Sequence, residues 1–144
     1  VRNPALINTL ANAFGIQFVV VAIDTKLVDG NNYVHLNGGR IKTDILTEEW
    51  IKEAESRGAG EILLTSMDHD GTKAGFDCSL LKKINQSLPI PLIASGGAGN
   101  KQHFSAVFLE TNVDAALAAS VFHYGEILIP DLKNSLRMNG IEVR

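Results

Sequence analysis

Three loop stretches and one aspartate hold the groups that could do chemistry in this chain. The first stretch is Ser66-Met67-Asp68-His69-Asp70-Gly71-Thr72-Lys73-Ala74-Gly75, directly after a short apolar run. Gly71 and Gly75 permit tight backbone turns, and amides exposed in such turns point at anions. The second is Ala94-Ser95-Gly96-Gly97-Ala98-Gly99, again at the end of an apolar run. Glycines there let the backbone approach a phosphate with no Cβ in the way. The third is Ala118-Ala119-Ser120, opening into the short helical stretch Val121-Phe122-His123. A helix start adds its free amides and dipole to the same task. Asp24 ends the apolar run Ile16–Ile23, and a carboxylate there is costly unless it faces an open mouth. Beside a bound substrate it would serve as a general acid or base. Asp70 is a second carboxylate at the same face, whereas Asp68 reads as structural.

These groups need elements to position them. Asn3-Pro4 reads as a cap and first position for a helix through Ala5, Leu10 and Phe14, which Gly15 ends. Ile16–Asp24 then reads as a strand buried on both faces, as in parallel sheets. Residues 27–46 are polar and glycine-rich, with Tyr33-Val34-His35-Leu36 as one arm of a hairpin. Thr47 is placed to cap a helix reaching about Arg57. The unit then repeats: strand Glu61–Ser66, a helix capped by Asp77, strand Pro89–Ser95, a helix capped by Asn100, strand Asp114–Ala119, and a last helix after Pro130. Strands alternating with helices imply right-handed βαβ units and a parallel sheet. A closed barrel of this kind has eight strands and usually about 250 residues. One leading helix and four strand–helix units therefore predict half of a TIM (β/α)8 barrel, with residues 1–144 as a single domain. An open flavodoxin-type sheet fits less well, because it would gather its chemistry at one switch point, whereas here every strand end carries some.

Composition excludes several classes. Thirteen Lys+Arg against 16 Asp+Glu give a formal charge of -3, with no basic patch for nucleic acid or an anionic membrane. No apolar run approaches the roughly 20 residues of a membrane span. Cys78 is the single cysteine, which fits a reducing cytoplasm and reads as a packing residue. His35, His69, His103 and His123 lack metal-ligand spacing, so neither a metal nor another cofactor is expected. The start at Val1, running directly into helical sequence, reads as that of a truncated chain.

The stretches Val21–Asp24, Gly58–Ser66, Asp68–Lys73, Ala94–Gly99 and Ala115–His123, in this order and spacing, resemble the cyclase subunit of imidazole glycerol phosphate synthase. The resemblance spans essentially the whole chain. It matches the C-terminal half of that subunit, from the helix before barrel strand five through strand eight. It implies a barrel enzyme of histidine biosynthesis that takes ammonia from a glutamine amidotransferase partner. The ammonia is condensed with a bis-phosphorylated ribotide to give imidazole glycerol phosphate and an aminoimidazole carboxamide ribotide. Of the family's two acid–base aspartates, Asp24 matches the one after strand five, and the other falls in the absent half. Asp70, Gly71, Gly96, Gly97, Ala119 and Ser120 match one of two substrate phosphate sites. Thr43 and Thr65 are candidate substrate contacts, and Glu61 matches one member of the charged ring at the ammonia entrance. Asp44 stands where the family often has glycine, which bears on the loop around Thr43.

Other readings compete with this one. The sister isomerase of the same pathway shares the barrel, the phosphates and the paired aspartates, but Ser66–Lys73 favours the cyclase. A non-catalytic phosphate-binding half-barrel is a second alternative. A divergent copy supplying ammonia for sugar amidination is a third. Four strands of a barrel would leave open edges and an uncovered inner face, so self-association is expected. One carboxylate cannot fill both proton-transfer roles, so the chain alone is expected to be inactive or weakly active.

Overall fold

The computed structural model describes all 144 residues. In order, the elements are α1 (Ala5–Phe14), a 3-10 turn (Ile16–Phe18), β1 (Val20–Val28), β2 (Asn31–Leu36), β3 (Ile41–Leu46) and α2 (Thr47–Ser56). Then follow β4 (Glu61–Ser66), α3 (Cys78–Asn85), β5 (Leu92–Ser95), α4 (Lys101–Thr111), β6 (Ala115–Leu117), α5 (Ser120–His123) and α6 (Ile129–Met138). The six strands form one sheet in the order β3-β2-β1-β4-β5-β6. β1, β4, β5 and β6 are parallel, and β2 and β3 are an antiparallel hairpin attached to β1.

The parallel strands lie in chain order, with no reversal. An open doubly wound sheet reverses at a switch point and carries helices on both faces. Right-handed crossovers that always step to the next neighbour put every helix on one side, as in a (β/α)8 barrel. The architecture is accordingly that of half such a barrel. The helix-facing side of the sheet forms the core: Ile23, Ile62, Leu64, Leu92 and Ala94 pack with Trp50, Ile51, Leu80, Leu81, Phe104 and Val107. Along β4 burial alternates, with Ile62, Leu64 and Ser66 buried and Glu61, Leu63 and Thr65 half-buried.

That alternation corrects one expectation. The first strand is not buried on both faces, because Val20 is 48% exposed on the side away from the helices. Its limits also differ. Ile16–Phe18 form a 3-10 turn, and pairing with β2 carries β1 past Asp24 to Val28. Two expected caps are absent as well. Asn3 offers its backbone carbonyl to Leu6 N–H and its side chain does not cap. Thr47 is the first residue of α2, fully buried, and its hydroxyl lies 2.6 Å from that of Thr25. Asp77 and Asn100 do cap, accepting from Leu80 N–H and His103 N–H. β5 starts only at Leu92, since Pro89 and Pro91 cannot donate to a sheet ladder. β2 covers β1 from Asp24 to Val28, leaving the edge of Val20–Ile23 open, and β6 has an open outer edge.

Candidate active site

Parallel register builds the inner face rung by rung. Asp24, Thr65, Ser95 and Leu117 are successive partners across β1, β4, β5 and β6. The rung below is Ala22, Leu63, Ile93 and Ala115. The upper rung thus sets one carboxylate beside two hydroxyls, above an apolar floor, at the C-terminal ends of the strands. Asp24 is half-buried and takes part in none of the chain's ion pairs.

Above this rung the loops after β4 and β5 lock together. Gly75 N–H donates to the Gly97 carbonyl at 2.8 Å. Gly97 is buried at φ 102°, and a Cβ there would collide with the Gly75 carbonyl oxygen. Gly96, at φ 93°, lies under Asp70: a Cβ would come within 2.7 Å of the Ser66 carbonyl and 3.4 Å of Asp70 Cβ. The β4 loop itself is held by Asp70 N–H to the Ser66 carbonyl and by the Thr72 hydroxyl to the His69 carbonyl. Gly71, Lys73 and Gly75 all have positive φ, so the backbone turns sharply three times within this loop. Gly71 is exposed with open space around it.

The third loop joins through an ion pair. Lys73 Nζ lies 2.6 and 2.7 Å from the two carboxylate oxygens of Glu126, just past α5. At α5 the Ala119 carbonyl accepts from Phe122 N–H and His123 N–H. The first amides of a helix have no partner within it, so those of Ser120 and Val121 remain at the open end. The loops bearing Asp70, Gly71, Gly96 and Gly97 are therefore in contact, and the one bearing Ala119 and Ser120 is tied to them by charge.

Thr65 faces the cavity on the Asp24 rung. The Thr43 hydroxyl donates to the Val34 carbonyl at 2.8 Å and accepts from Ile45 N–H, bridging an irregularity in the hairpin. Asp44 projects into solvent with only Lys42 near it, 3.5 Å away. Glu61 sits at the opposite end of the sheet, beside Val20. There it lines a concavity of about 1250 Å3 that runs along the β6 edge past Ile93, Ala115, Ile141 and Val143. Asp68 accepts from Leu27 N–H at 2.8 Å, bolting the β4 loop to β1 as its structural reading requires. Burial pushes the Cys78 thiol up, with Glu110 and then Asp77 adding in the same direction, which opposes a nucleophilic role.

Sequence reasoning passed over His69 and the Lys73–Glu126 pair. Neither contact has a spacing signature in the sequence. Only the cap at Asp77, to which His69 also turns, was readable.

Comparison with known proteins shows the family. The family model described as "Histidine biosynthesis protein" matches residues 1–128. The chain is 60% identical over 144 residues to the imidazole glycerol phosphate synthase subunit HisF of Flavobacterium psychrophilum. It is 57% identical over 146 residues to that of Wolinella succinogenes and 54% identical over 144 residues to that of Bacteroides thetaiotaomicron. Each match covers all of this chain but only 57% of the relative's length. The half-barrel, its glycine-lined strand ends and the family match together place the chain in the histidine biosynthesis protein family.

Proposed function

We propose that this chain provides the C-terminal half of the active site of an ammonia-dependent cyclase, the synthase subunit its relatives are named for. One observation carries the reading: the Asp24 carboxylate shares a rung with Thr65 and Ser95, directly beneath interlocked glycine loops. The amides about Gly71, Gly96, Gly97, Ala119 and Ser120 bind one terminal phosphate of a bis-phosphorylated ribotide, and Asp70 orients the loop around it. Phosphate binding holds the reacting carbons over the inner face. Asp24 then moves a proton as ammonia adds and the imidazole ring closes, while Thr65, and Thr43 on its hairpin, contact the substrate. Glu61, at the far end of the sheet, belongs to the ammonia entrance facing a glutamine amidotransferase in the cytoplasm. A second carboxylate, opposite Asp24, comes from outside these 144 residues.

The test mixes the chain with the N-terminal half of a HisF relative and assays ring closure with ammonium as nitrogen donor. Activity is expected from the mixture, little from the chain alone, and a loss of about 100-fold or more with Asp24→Asn, the usual range for removing an acid–base group. Robust turnover by the chain alone, or an active Asp24→Asn mixture, would refute the assignment. Ketose formation in place of ring closure would identify the sister isomerase. The open edges of β1 and β6 also lead to self-association of the isolated chain. A well-folded, strictly monomeric species in light scattering would contradict that.

A further inference from the structure

His69 bridges the two ends of the β4–α3 loop. Its Nδ1 is 2.8 Å from the Gly75 carbonyl oxygen. A carbonyl only accepts, so Nδ1 carries a proton and donates. On the other side of the ring, Nε2 lies 3.8 Å from Asp77 Oδ2. That oxygen accepts a hydrogen bond from the Ser66 hydroxyl at 3.3 Å. The second Asp77 oxygen accepts from Leu80 N–H and the Ser79 hydroxyl, at 3.1 and 2.9 Å. The ring therefore spans from an anchored helix cap to Gly75, and Gly75 N–H reaches on to the Gly97 carbonyl in the next loop. The His69 side chain is 35% exposed, so core packing does not account for its place.

We infer that His69 is a positioning residue for the anion site: through Gly75 it fixes the β4-loop amides against those of Gly96 and Gly97. The inference rests on the phosphate reading above and deepens it, because it names the side chain that holds two amide-bearing loops at one spacing. Of the other side-chain hydrogen bonds of this loop, those of Thr72 are local, Asp68 ties the loop to Leu27 and Lys73 ties it to Glu126; none of them reaches Gly75. Without the imidazole, the bond from Gly75 N–H to Gly97 is the hydrogen bond left on Gly75, and no side chain then sets its distance from the Ser66–Asp70 turn. The ligand concerned is the terminal phosphate of a monoester, and the expected consequence is weaker capture of that group with little change elsewhere.

The test titrates the 144-residue chain with inorganic phosphate and follows backbone amide resonances, in wild type, His69→Ala, His69→Gln and His69→Leu. Wild type is expected to show saturable shifts at Gly96, Gly97 and Ser120. His69→Ala and His69→Leu should weaken binding about tenfold, the equivalent of one lost hydrogen bond, and speed amide exchange at Gly75. His69→Gln, whose side-chain amide can donate to the Gly75 carbonyl, should restore most of the affinity. Undiminished binding by His69→Ala would overturn the inference and leave the phosphate site standing. Absence of shifts in wild type would overturn the phosphate reading itself, and the inference with it. Should His69→Ala not fold, the glutamine variant decides: wild-type affinity supports the role, and a tenfold loss refutes it.

Discussion

Gly97 and Gly71 both have positive φ, yet alanine at the two positions should have very different consequences. At Gly71, φ 74°, an added Cβ meets nothing within 4 Å. Gly71→Ala should cost only the left-handed backbone penalty, about 1 kcal/mol. At Gly97, φ 102°, the Cβ would strike the Gly75 carbonyl and come within 3.1 Å of His69 Cβ. Three costs then combine: a similar backbone penalty, the loss of the Gly75–Gly97 hydrogen bond at about 1 kcal/mol, and repulsion in a packed site of at least about 1 kcal/mol. The sum is about 3 kcal/mol, a difference of about 2 kcal/mol between the variants. Urea unfolding can resolve this, using the fluorescence of Trp50, the single tryptophan and 2% exposed. With a slope of about 2 kcal/mol per molar urea, the midpoint should fall by roughly 1.5 M for Gly97→Ala and roughly 0.5 M for Gly71→Ala. Equal shifts would mean that the two loops do not bear on one another as described, and would remove the basis for a shared anion site.

Two further outcomes follow from buried groups. The Thr25 and Thr47 hydroxyls, 2.6 Å apart and almost wholly buried, satisfy each other. Replacing either with valine should destabilise by about 1–3 kcal/mol, while the double valine variant should cost less than the sum, since no hydroxyl is left orphaned; strict additivity in a denaturation cycle would refute the pairing. Cys78, its thiol pushed up by burial and by Glu110 and Asp77, has a smaller thiolate fraction than an unfolded cysteine at any pH below its shifted value. Iodoacetamide should therefore alkylate it more slowly in the folded chain than in urea, and equal rates would contradict the shift.

The sheet was readable because its signals are local. Glu61–Ser66 carries the apolar centre Ile62-Leu63-Leu64 between Gly60 and a turn, and it forms β4 with those limits. Asp77 and Asn100 precede apolar helical spacing and cap as expected. Thr47 misled because a threonine before a helix is equally able to turn inward, and here a buried partner, Thr25, took its hydroxyl. β1 was misjudged because an unbroken apolar run does not reveal how many of its faces are covered. The glycine-rich strand ends could be found by composition, and the rung joining Asp24 to Thr65 and Ser95 follows once the strands are known to be parallel neighbours. The links that lock the loops, from His69 to Gly75 and from Lys73 to Glu126, join residues 6 and 53 positions apart and depend on backbone geometry that no spacing rule encodes.

The same topology divides the chemistry unevenly. In a singly wound sheet, neighbouring strands come from consecutive βα units, so a site made of adjacent loops is assembled by short-range chain connections. The amides proposed to bind phosphate are of this kind: β4 and β5 are partners along Ile62–Thr65, and their loops are joined by the Gly75–Gly97 bond and the His69 contact with Gly75. Under the proposed function, proton transfer by two opposed carboxylates is different, because the group facing Asp24 would come from the other half of the barrel and not from these four strands. Binding of the phosphate should consequently survive in the isolated chain, whereas acid–base turnover should require the facing strands. Separating the two, with phosphate retained and ring closure absent until the complementary half is added, is the outcome the strand order demands; loss of both together would mean that the interlocked loops depend on the far wall of the barrel.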